Sequence, residues 1–490
     1  MRAAPLLALA AAAAVMIPTP ARAQPTASSA GPAPAARPAS PQPTASPGST
    51  SPFLGGVPAG TVTSEPIKMT VIDAILRALD HNLGVLSAEE ALGRARGARW
   101  IALSQLLPNV SGRVSESREK INLAAFGFGA GNGPSFPGIP DVVGPFNVFD
   151  ARVFVSQAVF DLEAINDARS EAHAVEAARL SRQSARDFVI HVAGNVYIQA
   201  LAASARADAA RAQRDTADAL YQQAVSLREG GMIAGVDVLR AQVQLSAQQQ
   251  RATAAVNDLE KVKLNLARLT GLPLGQAFTL DGALPDLPTP TTSLGDTVER
   301  AYQARPDYQA ALARVRAAEA TRAAVVGSSL PSVHVIADVG DIGLTASDAK
   351  ATYSLVGSVN VPLFNGGRTH GRLLQADADI RARQSEAEDL KASIYYEIRA
   401  AYLDLEATTE QLRVATTARD LAGQQLTQTR DRFAAGVASN VEVIQAQEAV
   451  ALATEQFISA QYGYDLAKGA LVRGVGSTED VLRQIIGGAR

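Results

Sequence analysis

The chain has 490 residues, a net charge of −3 and no cysteine. Its length allows two or three ordinary domains, its balanced charge argues against a nucleic-acid surface, and the missing cysteines exclude disulfides, thiol catalysis and cysteine-bound metals. The histidines (His81, His173, His191, His334, His370) are scattered with no His-x-x-x-His pair, so no metal or cofactor is expected.

Residues 1–23 read as a signal peptide. Arg2 supplies the positive end, Leu6 to Met16 a short apolar run, and Ala21-Arg22-Ala23 a small-x-small cleavage site before Gln24. The run is too short to cross a bilayer as a helix. Residues 24–63 are rich in Pro, Ala, Ser and Thr, a composition with little apolar surface to offset chain entropy, and are expected to be a disordered leader.

The remainder repeats itself. Asp73 returns as Asp296, Ala78 as Ala301 and Leu107-Pro108 as Leu330-Pro331, all at an offset of 223. Further on, Phe160 matches Phe364, Tyr197 matches Tyr402, Gly231 matches Gly436 and Gly271 matches Gly476, at 204 to 205. Such self-similarity marks a duplicated structural unit. The repeats are placed at 64–290 and 291–476, with a tail at 477–490. The change of offset locates an insertion of about twenty residues in the first copy between Pro108 and Phe160, where a surface loop belongs.

In the first copy, alternating side chains predict strands at about 109–120 and 147–160. A glycine-rich connection runs between them from Ile121 to Pro145. Its Gly127-x-Gly129-x-Gly131 does not join a strand to a helix and is no nucleotide loop. No proline then occurs between Phe146 and Leu272. Helix formers dominate, and Val189, Val192, Val196 and Ala200 recur at helical spacing. The pattern predicts an antiparallel helical hairpin over 162–271, turning at Gly230, Gly231 and Gly235. Its first helix would be roughly 100 Å long at 1.5 Å per residue, the scale of a coiled coil or helical tube. The second copy predicts strands at about 332–343 and 352–363 and a hairpin over 368–473, turning at Gly436. Tyr197 and Tyr402, at matching places in the long helices, are expected to pack between helices.

Strands of this length suit a tilted membrane strand, although a soluble antiparallel sheet with one wet face alternates in the same way. In a membrane, four strands cannot close a barrel, because the smallest have about eight. The sheet would have to close with copies of itself, since an open edge in lipid leaves backbone groups unsatisfied.

The duplicated plan, Leu107-Pro108-Asn109 and Leu330-Pro331-Ser332 before a strand of each copy, and Val361-Pro362-Leu363-Phe364-Asn365-Gly366-Gly367 after the last strand resemble the TolC-type outer-membrane efflux proteins. The hairpin-tip phrase Arg432-Phe433-Ala434-Ala435-Gly436-Val437-Ala438-Ser439-Asn440-Val441-Glu442-Val443 is the most specific element. The resemblance covers about residues 68 to 476. It implies an α+β membrane protein: long antiparallel helical hairpins forming a trimeric α-barrel, and four strands per protomer in a shared twelve-stranded transmembrane β-barrel. It further implies a homotrimer in outer-membrane lipid with a periplasmic tunnel, acting as the passive exit duct of a tripartite efflux or type I secretion system. A periplasmic adaptor and an inner-membrane pump would be its partners, and small molecules or proteins its cargo. The adaptor would dock at the tip turns, on Gly231, Gly436, Val437 and Phe433. Asp237 and Glu442 would form an acidic ring at the periplasmic entrance. Both also fall in the first turn of a helix, where the dipole alone favours a carboxylate by about 0.3–1 kcal/mol. The family's aromatic and basic gate partners fall on Phe433, which has no hydroxyl, and Ala438, which has no charge, so that gate chemistry does not carry over. The alternative is an exported structural or adhesive coiled-coil protein without channel activity. No nucleophile elbow, metal cluster or phosphate loop supports an enzyme.

Overall fold

A computed structural model describes residues 51–126, 140–281, 293–476 and 478–488. Strand β1 (Ile67–Met69) leads into helix α1 (Val71–His81). A capping box closes the start of α1: the Thr70 hydroxyl accepts the Asp73 N–H at 3.1 Å and the Asp73 carboxylate accepts the Thr70 N–H at 3.1 Å. Helix α2 (Leu83–Ser104) is capped by Asn82, which is fully buried and whose side-chain oxygen accepts the Gly84 N–H at 2.8 Å. Then come β2 (Asn109–Asn122), β3 (Val142–Phe160), α3 (Leu162–Glu229), α4 (Gly235–Leu269) and β4 (Phe278–Leu280).

The same order then returns: α5 (Leu294–Ala304), α6 (Pro306–Gly327), β5 (Ser332–Gly343), β6 (Lys350–Asn360), α7 (Arg368–Ala434) and α8 (Asn440–Val475), followed by α9 (Thr478–Gly488). The repeated aspartates explain one another, because Ser293 caps α5 through the Asp296 N–H at 3.2 Å as Thr70 caps α1. Helices α3 and α7 contain 68 and 67 residues, each about 100 Å at 1.5 Å per residue.

Strands β2, β3, β5 and β6 form one antiparallel sheet in chain order, with β2 and β6 as its free edges. β1 and β4 pair separately and in parallel. The first part of α3 lies along α2 and α6, tied by Arg182–Glu89 at 2.7 Å and by the Ser170 hydroxyl donating to the Ala317 carbonyl at 2.9 Å. Its later part lies along α4, through alanines such as Ala203, Ala207 and Ala224. Alanine lets helices approach closely while burying little apolar area per residue.

The main core gathers midway along α3, where Val189, Ile190, Ala193, Tyr197 and Leu201 meet Met69, Ile75, Leu79, Leu266, Leu269 and Phe278. Tyr197 is fully buried, and its hydroxyl lies 2.8 Å from the Met69 carbonyl and 2.6 Å from the Asp281 carbonyl, pinning the β1–β4 ribbon to α3. Tyr402, its counterpart, meets the Thr297 hydroxyl of α5 at 2.9 Å. Arg305, 4 % exposed, joins α6 to α7 through Asp307 at 2.6 Å and Glu397 at 2.6 Å. Burial alone would raise the Asp307 carboxyl, and the adjacent guanidinium overrides it and holds that group below its ordinary range.

The structure departs from expectation at the termini of the folded region. Residues 51–63, placed in the disordered leader, are docked. Phe53 meets Phe188 edge-on at 4.9 Å between ring centroids. The N–H groups of Val57, Ala59 and Thr63 donate to His81, Gly271 and Gln276 at 2.8, 3.0 and 2.7 Å. One aromatic ring and satisfied backbone groups outweigh the average composition of the stretch. Within the tail, α9 forms and its Leu482 packs into the main core. β3 begins at Val142, earlier than expected, and β6 ends at Asn360, before Pro362, which cannot donate to a ladder. The Gly127-x-Gly129-x-Gly131 stretch, the signal peptide and residues 24–50 lie outside the described residues.

Replacing Tyr197 by Phe should lower unfolding free energy by about 1–3 kcal/mol, since buried carbonyls lose a donor. Tyr402→Phe should cost less, about 0.5–1.5 kcal/mol, because the Thr297 hydroxyl retains the Ser293 carbonyl at 2.9 Å. Denaturant unfolding of the purified variants checks the ranking.

Candidate functional site

Two regions of the chain are built for something other than packing: the tips of the long hairpins and the two faces of the sheet. Each tip is the same backbone device. In the first, the Met232 N–H reaches the Leu227 carbonyl and the Gly231 N–H the Arg228 carbonyl, both at 2.9 Å. In the second, the Val437 N–H reaches the Arg432 carbonyl at 2.8 Å and the Gly436 N–H the Phe433 carbonyl at 3.0 Å. These pairs are Schellman turns, which need a left-handed residue just past the helix. Gly231 and Gly436 supply it, at φ +72° and +74°. The residue that follows is apolar in both tips and points outward: Met232 and Val437 are each 68 % exposed. Val236, Leu239 and Val441 extend this apolar surface along the starts of α4 and α8.

The two carboxylates sit at the third position of their helices, and their surroundings differ by one residue. The second tip has Ser439 at the N-cap. Its hydroxyl accepts the Glu442 N–H at 3.4 Å, and the Glu442 carboxylate accepts the Ser439 N–H at 3.0 Å, completing a capping box. The Ser439 N–H, then the Ser439 hydroxyl, then Arg432 at 3.6 Å hold Glu442 below its ordinary range. The first tip has Ala234 at the N-cap, which offers no side-chain acceptor. Asp237 pairs instead with Arg240, one turn on, at 3.0 Å. The tips touch: the Asn440 side-chain amide donates to the Asp237 carbonyl at 3.0 Å. The helix starts of α4 and α8, with their carboxylates, are therefore neighbours within one chain.

The ladder sorts the sheet residues into two faces, because directly opposed residues of an antiparallel pair share a face. One face carries Val110, Val114, Ala151, Val153, Val155, Val333, Val335, Ala337, Val339, Tyr353, Leu355 and Val359. Tyr353, Leu355 and Val359 on it are largely exposed. The opposite face is mixed: Asn109, Ser111, Arg113, Ser115, Asp150, Arg152, Asp338, Thr352, Ser354 and Ser358 stand on it beside Phe154, Ile336, Ile342 and Val356. An apolar face turned outward and a polar face with charges are what a barrel wall between lipid and water requires.

Of the residues expected at the tips, Gly231, Gly436 and Val437 lie at the turns as anticipated by their positions. Phe433 does not belong with them. It is 9 % exposed, so it supports its turn from beneath and presents no surface to a partner. Its ring is drawn inward because the helix stripe on which it falls faces the core side of the hairpin. Ala438 lies in the connection between turn and cap. Sequence reasoning missed Met232, although the offset that pairs Gly231 with Gly436 pairs it with Val437. It also missed Asn440, whose contact joins elements about two hundred positions apart and leaves no local signal. The charged cluster on the polar sheet face was missed as well.

Residues 297–477 match the family model described as outer membrane efflux protein. The chain is 25% identical over 412 residues to the pyoverdine export outer membrane protein OpmQ of Pseudomonas putida, covering 82% of this chain and 84% of that protein. It is 24% identical over 335 residues to the alkaline protease secretion protein AprF of Pseudomonas aeruginosa, covering 65% of this chain and 68% of that protein. Among solved structures, the CmeC outer membrane channel of Campylobacter jejuni superposes with a TM-score of 0.72 at 18% identity, over 92% of this chain and 98% of that one. That last likeness is one of fold.

The capping box has a pH signature. Glu442 ionises below its ordinary value of 4.5 in the fold. Its contribution is therefore complete above that value and is lost as pH falls through the lower, folded one. Amide protection of Ser439 should drop on acidification past this point, and Glu442→Gln should abolish the drop, because the N–H at 439 then faces no titrating carboxylate. Hydrogen-exchange protection factors measured between neutral and acidic pH read both.

Proposed function

We propose that this chain, a member of the outer membrane efflux protein family, is the outer-membrane exit duct of a multi-component export system. It carries cargo through its own lumen and performs no chemistry on it. One observation carries the reading. A four-stranded sheet with an apolar outer face and a polar inner face ends in two free edges, β2 and β6, and stands on helical hairpins about 100 Å long.

A sheet of this kind cannot remain single in lipid, where each unpaired backbone group costs several kcal/mol. Pairing β2 of one copy with β6 of the next satisfies both edges. Two copies would give eight strands and a lumen filled by side chains, whereas three give twelve and leave room for a channel. Together with the fold likeness, this favours a homotrimer. Its strands would form a transmembrane barrel in the outer membrane and its hairpins a periplasmic tunnel.

The tips would receive a periplasmic adaptor, itself coupled to an inner-membrane pump. Met232 and Val437, exposed and apolar at matching turns, are the surface we assign to that contact. Asp237 and Glu442, brought together by Asn440, would repeat around the entrance and line it with carboxylates. Cargo of the relatives is named as pyoverdine in one case and alkaline protease in another; for this chain we propose the same breadth, small molecules or proteins.

Met232→Asp combined with Val437→Asp should cut adaptor-dependent export or drug resistance at least severalfold while heat-sensitive oligomer migration stays unchanged. Export at the original level would remove the docking assignment. Purified protein in planar bilayers should give discrete single-channel steps, and protein that remains a detergent-independent soluble monomer would end the duct reading. In the same bilayers, Asp237→Ala with Glu442→Ala should shift the reversal potential under a salt gradient away from cations; an unmoved potential would dismiss the acidic entrance.

A further inference from the structure

The polar sheet face carries a cluster that neither packing nor sheet formation requires. Arg113 on β2 stands directly opposite Arg152 on β3, an arrangement that is unfavourable for two like charges. Phe154, one row away on the same face and opposite Ser111, lies within reach of both. Both guanidinium carbons are 5.5 Å from its ring centroid, within cation–π range.

The two arginines are treated differently. Arg152 is held from both sides. Its Nε donates to Asp150 at 2.6 Å, a second nitrogen closes the fork on Asp150, and a third reaches Asp338 of β5 at 3.2 Å. Gly340, opposite Arg152 in the ladder, makes that posture possible. A Cβ at 340 would fall 2.7 Å from Arg152 Cγ and 2.1 Å from the Ala151 carbonyl oxygen, so only glycine lets the side chain lie across the strand. Both carboxylates of the cluster spend their hydrogen bonds on Arg152, and Asp150 reaches Arg113 only through longer-range attraction. Arg113 is exposed, and among the described residues no carboxylate lies within ion-pair distance of it.

Closing the sheet does not supply one. The β6 edge that would lie beside β2 presents Lys350, Thr352, Ser354, Val356, Ser358 and Asn360 on this face, and none is acidic. Arg113 lies between Gly112 and Val114 of the apolar outer face, so it is at membrane depth, facing the lumen. The cluster as a whole is charge-balanced, two arginines against two aspartates. What it offers a passing solute is therefore a directional contact more than a long-range field. A planar guanidinium, backed by an aromatic ring and with no carboxylate in ion-pair contact, pairs with an incoming carboxylate through two parallel N–H···O bonds.

We propose that Arg113, oriented by Phe154 and set beside the immobilised Arg152, is a binding site for carboxylate-bearing solutes, repeated once per protomer in the barrel lumen. The site rests on the duct reading, since only a closed barrel gives Arg113 a lumen to face. It marks anionic cargo as the class that this exit recognises.

The probe is citrate, added to the outer side of single channels in planar bilayers against chloride of equal ionic strength. Wild-type current should show concentration-dependent block. Arg113→Gln should raise the half-blocking concentration at least fivefold. Arg113→Lys, which keeps the charge and loses the planar fork, should fall between the two, and Phe154→Leu should weaken block without touching any charge. Equal block in wild type and Arg113→Gln, or a conducting wild type that citrate does not block, would overturn the proposal and leave the duct standing. A wild type that forms no channel at all would overturn the duct reading, and the lumen site with it. Should Arg113→Gln fail to assemble, the Lys and Leu variants decide: block equal to wild type in both would overturn the site.

Discussion

The free N–H and C=O groups along β2 and β6 are the constraint on which the molecule turns. In water those edges would be solvated. In hydrocarbon they have no partner except another strand. A chain that contributes four strands has therefore surrendered the option of being complete alone. The helical part meets the same demand by other means. Its long helices bury alanine against alanine, which brings backbones close but leaves each hairpin with a thin core. The larger side chains are concentrated at one level, around Tyr197, Leu266 and Phe278. There the ribbon of β1 and β4 and the helices α1 and α5 clamp the long helices.

This distribution separates the tasks of the chain along its length. One face of the sheet carries valine, leucine and tyrosine, and the other carries serine, asparagine and a few charges beside Phe154, Ile336 and Val356. The clamped middle holds the register of the long helices through buried hydroxyls and the Arg305 ion pairs. The tips have only small cores, such as Ala224, Val238 and Ala241 with Tyr221 and Ile233, and they expose Met232 and Val437 on their turns. The larger side chains are buried in the middle, and apolar side chains are exposed at the two ends. Stability differs locally within one fold.

Much of the architecture was legible in residue order because duplication makes errors visible. A glycine or tyrosine that recurs at a fixed offset is hard to assign to chance, and the proline-free stretches delimited both hairpins. Tyr197 and Tyr402 were readable as packing residues for the same reason. The helix-start placement of Asp237 and Glu442 was readable too, since each follows its tip glycine by six residues at the start of a proline-free helical run. What escaped was non-local or counter to composition. Residues 51–63 read as solvated chain because nothing nearby in sequence reveals the partners of Phe53 and of the Val57 and Ala59 amides. Phe433 read as surface because a tip turn is a surface feature, while its helical stripe faces inward. The ion cluster of Arg152 needs β3 and β5, whose register no single stretch encodes. The tail lacked a periodic signal long enough to show that Leu482 would be buried.

The contact between Asn440 and the Asp237 carbonyl has a mechanical meaning. It fastens the start of α8 to the start of α4, so the two hairpin ends of one chain are coupled at their most distal point. Farther along the same hairpins Arg206 of α3 reaches Glu455 of α8 at 2.8 Å, so the two turns of one chain are tethered at more than one level and swing less freely than two separate hairpins would.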